Sequence, residues 1–264
     1  MRSIWRGALS FGLIHIPVRL YSATKSRELK FKMLHSKDLS EIRYARICKA
    51  DGKEIPWDEI VKGYEYEKGD YVILTEEDFK KADLKRSETI EIIDFTKEDQ
   101  IDPIYYDTPY YLEPEKGSAK AYALLCEALK RSKKVAIGHF VFKHHEHLGV
   151  IRVYGNLLVL HQLRYEAEIR DAAELNIPKG TIAKNELDMA LRLIDELTKP
   201  FDPSDYTDSY TEKLKAMMKK KSKGERVEIK KESRQKEGKV RDILTLLKSS
   251  LEESKKKPRK RRAA

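Results

Sequence analysis

Ser10-Phe11-Gly12-Leu13-Ile14-His15-Ile16-Pro17-Val18-Arg19-Leu20-Tyr21 is the run whose reading decides the fold class. It is rich in β-branched and aromatic residues, which suit a pleated strand, and Pro17 demotes part of it to an edge or a bend. Outward from it the signals stay mostly β as far as about Gly155. Ile42 to Cys48 reads as a strand that ends at the Asp51-Gly52 turn. Tyr64-Glu65-Tyr66 and Tyr71-Val72-Ile73-Leu74 flank Lys68-Gly69-Asp70 as a second hairpin. Thr75, with Asp78 three residues on, opens a short helix to about Ala82. Thr89 to Phe95 and Tyr105 to Leu112 are further strands. Val135–Lys143, Val150–Tyr154 and Leu157–Arg164 follow, with Gly155-Asn156 turning between the last two. Most of these strands are apolar on both faces, which suits a closed barrel or a covered sheet.

Helical spacing interrupts the strands once, at Ser118 to Lys130, where Ala121, Leu124, Leu125, Ala128 and Leu129 share a face. After about Ala167 helix takes over. Leu187, Ala190, Leu191, Ile194 and Leu197 make one stripe, and Met189, Leu193 and Met217 hint at a second apolar surface. Asp202 and Pro203 are placed as N-cap and first residue of another helix reaching toward Met218. Residues 219–239 are polar and lysine-rich and read as a flexible linker. Val240, Ile243, Leu244, Leu247 and Leu251 then form a last short amphipathic stripe, before Lys255-Lys256-Lys257-Pro258-Arg259-Lys260-Arg261-Arg262.

Charge is distributed unevenly. Charged residues make up 37% of the 264, against about 25% in ordinary domains, so part of the chain is expected to be solvated helix or tail. Residues 1–212 hold 33 basic and 37 acidic groups, whereas 213–264 hold 21 and 7. Residues 1–50 carry 11 and 3, and 51–100 carry 8 and 16. A polyanion would meet the first stretch and the tail. A solubilising tail and an anionic membrane surface are the alternatives, but lysine runs this dense release counterions from phosphate, which favours nucleic acid. Cys48 and Cys126 form no CxxC pair and read as structural residues of a reduced compartment. No apolar window is long enough for a membrane span.

Catalytic signatures are missing: no Gly-rich phosphate loop, no HExxH and no Gly-x-Ser-x-Gly. His144-His145-Glu146-His147 is the most tempting cluster. Neighbours on a strand point to opposite faces, so only alternate members converge, and an exposed polar hairpin turn fits best, with contact to nucleic acid as the next reading and a metal last. Asp202, Asp205 and Asp208 lack the Gly and Glu of a calcium loop and read as helix caps. No catalytic residue, metal or cofactor is expected.

Several longer stretches together resemble bacterial Ku. They are Arg2 to Thr24 (RSIWRGALSFGLIHIPVRLYSAT), Ile60 to Tyr66 (IVKGYEY), Tyr110 to Pro114 (YYLEP), Lys120 to Leu129 (KAYALLCEAL), Leu157 to Tyr165 (LLVLHQLRY) and Phe201 to Asp208 (FDPSDYTD). The resemblance covers roughly residues 2–220 and, more weakly, 240–251. It implies a mixed β/α fold: a Ku-type β-barrel core with a DNA-encircling bridge over 1–170, a helical arm over 171–220, and a flexible basic extension over 221–264. It also implies a non-enzymatic, ring-shaped homodimer that threads onto double-stranded DNA ends and recruits the ATP-dependent DNA ligase, ligase D, for non-homologous end joining. A cytoplasmic, nucleoid-associated protein is expected.

A ring that accepts any broken sequence must grip phosphates, which position a protein without reading bases. The residues expected to do so are Arg19, Lys25, Lys30, Lys32, Arg43, Arg46, Lys62 and Lys143, with diffuse contacts from Lys255, Lys256, Lys257, Arg259, Lys260, Arg261 and Arg262. The stripe Val240, Ile243, Leu244, Leu247 and Leu251 is expected to dock on the ligase; folding back on the core or on the dimer mate is the alternative. A general architectural DNA-binding protein and a metal-dependent nuclease using the histidine run are the competing readings.

Overall fold

The computed structural model describes residues 1–82, 88–143, 145–178 and 180–224, together with 247, 249, 250 and 252. It divides into two units, Met1–Ala172 and Ala173–Ala264.

In the first unit the opening run is a hairpin rather than one strand. β1 (Trp5–Phe11) and β2 (Ile14–Ser22) pair antiparallel from Trp5↔Leu20 to Phe11↔Ile14. Gly12 turns the corner at φ +58°, a backbone region that residues with a Cβ resist. β3 (Lys62–Glu67) and β4 (Asp70–Leu74) stand apart as a two-stranded sheet. β5 (Thr89–Lys97), β6 (Tyr106–Pro114), β7 (Lys134–Phe142), β8 (His145–Tyr154) and β9 (Leu157–Leu163) join the first hairpin in a closed barrel of order β1-β2-β6-β9-β8-β7-β5. The circle closes where β1 and β5 run parallel, Leu9 facing Ile90.

Strand periodicity of two sorts the side chains. Ile16, Val18 and Leu20 point into the core, while Arg19 lies on the other face. Leu9, Ile90, Tyr110, Leu112, Phe140, Ile151, Leu158 and Leu160 fill the same core. Helix α2 (Ala119–Ser132) adds Tyr122, Leu125 and Leu129 to it. Each large apolar side chain so buried stabilises the fold by about 1.5–3 kcal/mol. The Tyr122 hydroxyl donates to the Leu112 carbonyl at 2.6 Å and accepts from the Leu158 N–H at 2.7 Å, linking the last paired residues of β6 and β9.

Pro17 sits in an internal strand, against the edge or bend its ring predicts. Its carbonyl accepts from the Glu115 N–H at 2.9 Å, so its nitrogen faces the β6 side, beyond the last β2–β6 pair at Val18↔Pro114. The missing N–H therefore costs the β1–β2 ladder nothing.

Between β2 and β5 the chain makes an excursion in which no described residue from Ala23 to Lys81 is buried. Ile42–Cys48 is not a strand there; two isolated bridges, Leu34↔Glu41 and Ile47↔Glu54, pin two short turns instead. Without a second layer to cover it, a run of alternating apolar residues has no sheet to join. α1 (Glu76–Ala82) starts where Thr75 and Asp78 cap each other, the Asp78 N–H donating to Thr75 Oγ1 and the Thr75 N–H to the Asp78 carboxylate.

The second unit holds α3 (Lys184–Leu197) and α4 (Ser209–Ser222). Asp202 and Pro203 open only a single 3₁₀ turn, Pro203–Asp205; the cap of α4 is Asp208, whose carboxylate accepts from the Thr211 N–H at 3.0 Å. Two Asp-x-x patterns compete here, and the one adjoining the apolar positions Tyr210 and Leu214 starts the longer helix. No described residue from Ala173 to Gly224 is buried, and Leu187, Leu191, Ile194 and Leu197 of α3 are all about half exposed or more. No helix among the described residues is long and apolar enough to cross a membrane.

Candidate nucleic-acid interface

Arg19 is anchored on the outer face of β2. Across the hairpin it faces Arg6, and both arginines reach Glu115, at 3.0 Å from Arg19 Nε and 2.6 Å from Arg6 Nε. The two guanidiniums hold the Glu115 carboxyl down to about 2, and that carboxylate in turn raises both arginines. The triad keeps one net positive charge in a fixed place. Arg6 is missing from the residues that the sequence alone suggests; the hairpin register about Gly12-Leu13 is the signal that puts it beside Arg19.

The excursion carries most of the other candidates. Lys25, Lys30 and Arg43 are exposed, and among the described residues none has an ion-pair partner. Lys32 is different, since it pairs with Glu41. The Arg46 guanidinium lies 4.3 Å over the Trp57 ring and the Lys62 ammonium 4.7 Å over the Phe79 ring. Such cation–π contacts fix the direction of a cation while leaving its charge unneutralised. Trp57, Tyr44, Tyr64, Tyr66 and Tyr71 are all more than half exposed.

Lys143 sits in the turn between β7 and β8, in the left-handed region at φ +53°. Following strand directions around the barrel, β2 and β7 run the same way, so Lys143 and the chain leaving Ser22 toward Lys25 emerge at the same barrel end. Arg19, Lys25, Lys30, Lys32, Arg43, Arg46, Lys62 and Lys143 all belong to the unit Met1–Ala172, in which Arg19 lies on β2, Lys143 in the β7–β8 turn and the others between β2 and β5.

The histidine run is strand rather than turn from His145 onward, and His144 lies outside the described residues. The rings of His145 and His147, two residues apart, have centroids 6.5 Å apart. Glu146 turns to the opposite face, where its carboxylate is 3.7 Å from His139 Nδ1. Among the described residues no three His, Cys, Asp or Glu side chains gather as a metal would need. Burial raises the Cys126 thiol, which keeps it protonated and inert, as a core residue should be.

Of the C-terminal candidates only Leu247 belongs to the described residues, in helical conformation. Val240, Ile243, Leu244 and Leu251 lie outside them, as do Lys255, Lys256, Lys257, Arg259, Lys260, Arg261 and Arg262.

Comparison with known proteins agrees with this architecture. The family model of the Ku70/Ku80 beta-barrel domain matches residues 10–189. A non-homologous end joining protein Ku of Opitutus terrae is 48% identical over 223 residues, covering 84% of this chain and 80% of that protein. The protein of the same description from Bacillus subtilis is 41% identical over 217 residues, covering 81% and 70%. That of Archaeoglobus fulgidus is 39% identical over 254 residues, covering 96% and 99%. With a closed β-barrel in the chain, a family model matched over residues 10–189 and relatives up to 48% identical over most of its length, the chain belongs to the Ku family of non-homologous end joining proteins.

Proposed function

We propose that this chain is a non-catalytic DNA-binding protein. It binds the ends of double-stranded DNA without regard to sequence, as a ring-shaped homodimer, and brings an ATP-dependent ligase of the ligase D type to the break. The observation that carries the reading is the excursion from Ala23 to Lys81, nearly sixty positions at which no described side chain is buried. A segment of this length, rich in exposed aromatic residues, does not hold one shape by burial of its own. A second copy and a DNA backbone together supply what it lacks: apolar surface for Tyr64, Tyr71 and Ile73, and phosphates for Lys25, Lys30 and Arg43. The exposed α3 stripe offers the same second copy another apolar face. Phosphate contacts alone suit a protein that must accept any broken sequence.

The experiment compares linear and closed-circular DNA of equal length with the full chain in one gel, with the mass of the complex measured in parallel. A threading ring binds the linear form strongly and carries two chains. Equal binding to both forms would move the protein to the class of general architectural DNA-binding proteins, and a monomeric complex would remove the ring. For the ligase, replacing Leu244 and Leu247 with Asp is expected to abolish recruitment while leaving end binding in place; unchanged recruitment would dismiss that docking site.

A further inference from the structure

The barrel wall carries a cleft of about 490 Å³ whose lining includes none of the phosphate-contact candidates, although Arg19 stands across β2–β6 from its Glu113. Its walls come from five places in the sequence, Met1 among them. Tyr21 on β2 and Tyr111 on β6 stand directly opposite one another. Tyr122 of α2 backs them, held rigid by its two hydrogen bonds, and Asn156 lies at the turn between β8 and β9. Glu113 is two residues beyond Tyr111 on the same face, and its carboxylate accepts the Tyr21 hydroxyl proton at 2.5 Å. Among the described residues no cation pairs with Glu113.

Arg19 is directly across β2–β6 from Glu113, and Arg6 is directly across β1–β2 from Arg19. Arg6, Arg19 and Glu113 therefore form a row at right angles to the strands, with the two tyrosines beside its acidic end. Each part has a complement in a nucleotide. Tyrosine rings offer a surface on which a base stacks whatever its identity. A carboxylate accepts from exocyclic amino groups on a base edge and repels phosphate, so it belongs at the base and not at the backbone. The arginines along the row, one net charge short of neutralised by Glu115, are where the phosphate belongs. The volume falls in the range of small-ligand sites and is far larger than the head of one cationic side chain requires.

We propose that this cleft takes one unstacked nucleobase from the single-stranded overhang of a broken DNA end, stacked on Tyr21 and Tyr111 with its phosphate toward Arg19 and, for adenine, cytosine or guanine, its amino group on Glu113. The inference rests on the end-binding reading and adds to it a recognition of end structure.

The test is fluorescence anisotropy of the full chain with one duplex prepared blunt or with a short overhang, the overhang carrying 2-aminopurine. The expected result is an overhang preference of roughly tenfold, within what one base stacked on an aromatic ring contributes. Stacking should quench 2-aminopurine fluorescence on binding. Tyr111→Ala should remove both the preference and the quenching while its blunt-end affinity and melting temperature stay as in the parent. Tyr111→Trp, which keeps an aromatic platform, should restore both. Equal affinity for the two ends in the parent protein, or a preference that survives Tyr111→Ala, overturns the site and leaves end binding standing. Absence of binding to either linear DNA overturns both readings.

Discussion

Tyr122→Phe removes one oxygen atom from the barrel and is expected to lower its stability by about 2–4 kcal/mol. The magnitude follows from what that oxygen touches. It joins the Leu112 carbonyl to the Leu158 N–H at the last pair of the β6–β9 ladder. Leu112 and Leu158 are 1% and 0% exposed, so water cannot take over without entering the core. Loss of the hydroxyl leaves a buried donor and a buried acceptor unsatisfied, each costing about 1–2 kcal/mol at the low end of the desolvation range, while the ring itself stays packed. For a unit of this size each kcal/mol is worth roughly 2–4 °C, so the melting temperature should fall by about 5–15 °C. Circular dichroism of the full chain through a thermal ramp reads this directly. Alkaline pH supplies an internal control. Burial pushes the Tyr122 hydroxyl up to about 12, from an ordinary 10. A folded-state value above the unfolded one means that the folded protein holds its proton longer, so stability is lost as pH rises from 10 toward 12. The phenylalanine variant has no such proton, and the gap between it and the parent should narrow over that interval. A drop below about 1 °C at neutral pH would show that β6 and β9 close on each other without the bridge, and would refute the role given to the hydroxyl.

Other expectations follow from the same geometry. Glu115 is held down to about 2 by Arg6 and Arg19; the stability it contributes is complete above its unfolded value near 4.5 and is lost as pH falls toward 2. The melting-temperature difference between the parent and Glu115→Gln should therefore shrink as pH falls through that window, and a difference that grows on acidification would contradict the triad. Replacing Lys25, Lys30 and Arg43 together with Ala should weaken binding to linear duplex and flatten the plot of log K against log salt by about 2–3, near 0.9 for each phosphate no longer neutralised; an unchanged slope would remove these three from the interface. For the homodimer proposed above, Leu191→Asp with Ile194→Asp should shift sedimentation from two chains to one, since both side chains lie on an exposed face of α3; unchanged sedimentation would remove α3 from the proposed interface. Gly138→Ala would bring a Cβ to 2.3 Å from the Glu91 carbonyl across β5 and β7, and the forced separation of two backbones should cost about 3 kcal/mol or more in denaturant titrations.

The sequence by itself determined the β class of the first part, the position of α2 and the Ku resemblance, because these rest on local signals: side-chain period, turn residues and motifs read in order. It also separated the basic ends from an acidic middle, since charge is counted and not folded. Register is where local signals stop. Gly12-Leu13 looks like the inside of one strand until Arg6 is seen opposite Arg19, and that pairing depends on where the chain turns. Pro17 reads as an edge because a missing N–H harms a ladder, yet only the tertiary structure shows which side of the strand that nitrogen faces. The run from Ile42 to Cys48 has strand composition and is no strand, for a strand needs a continuous ladder, and the run meets its neighbours only in an isolated bridge at Ile47↔Glu54 and scattered turn hydrogen bonds. Nor could spacing reveal the cleft beside Glu113: Tyr21, Tyr111, Tyr122 and Asn156 meet only because the barrel closes, bringing together positions separated by up to 135 residues.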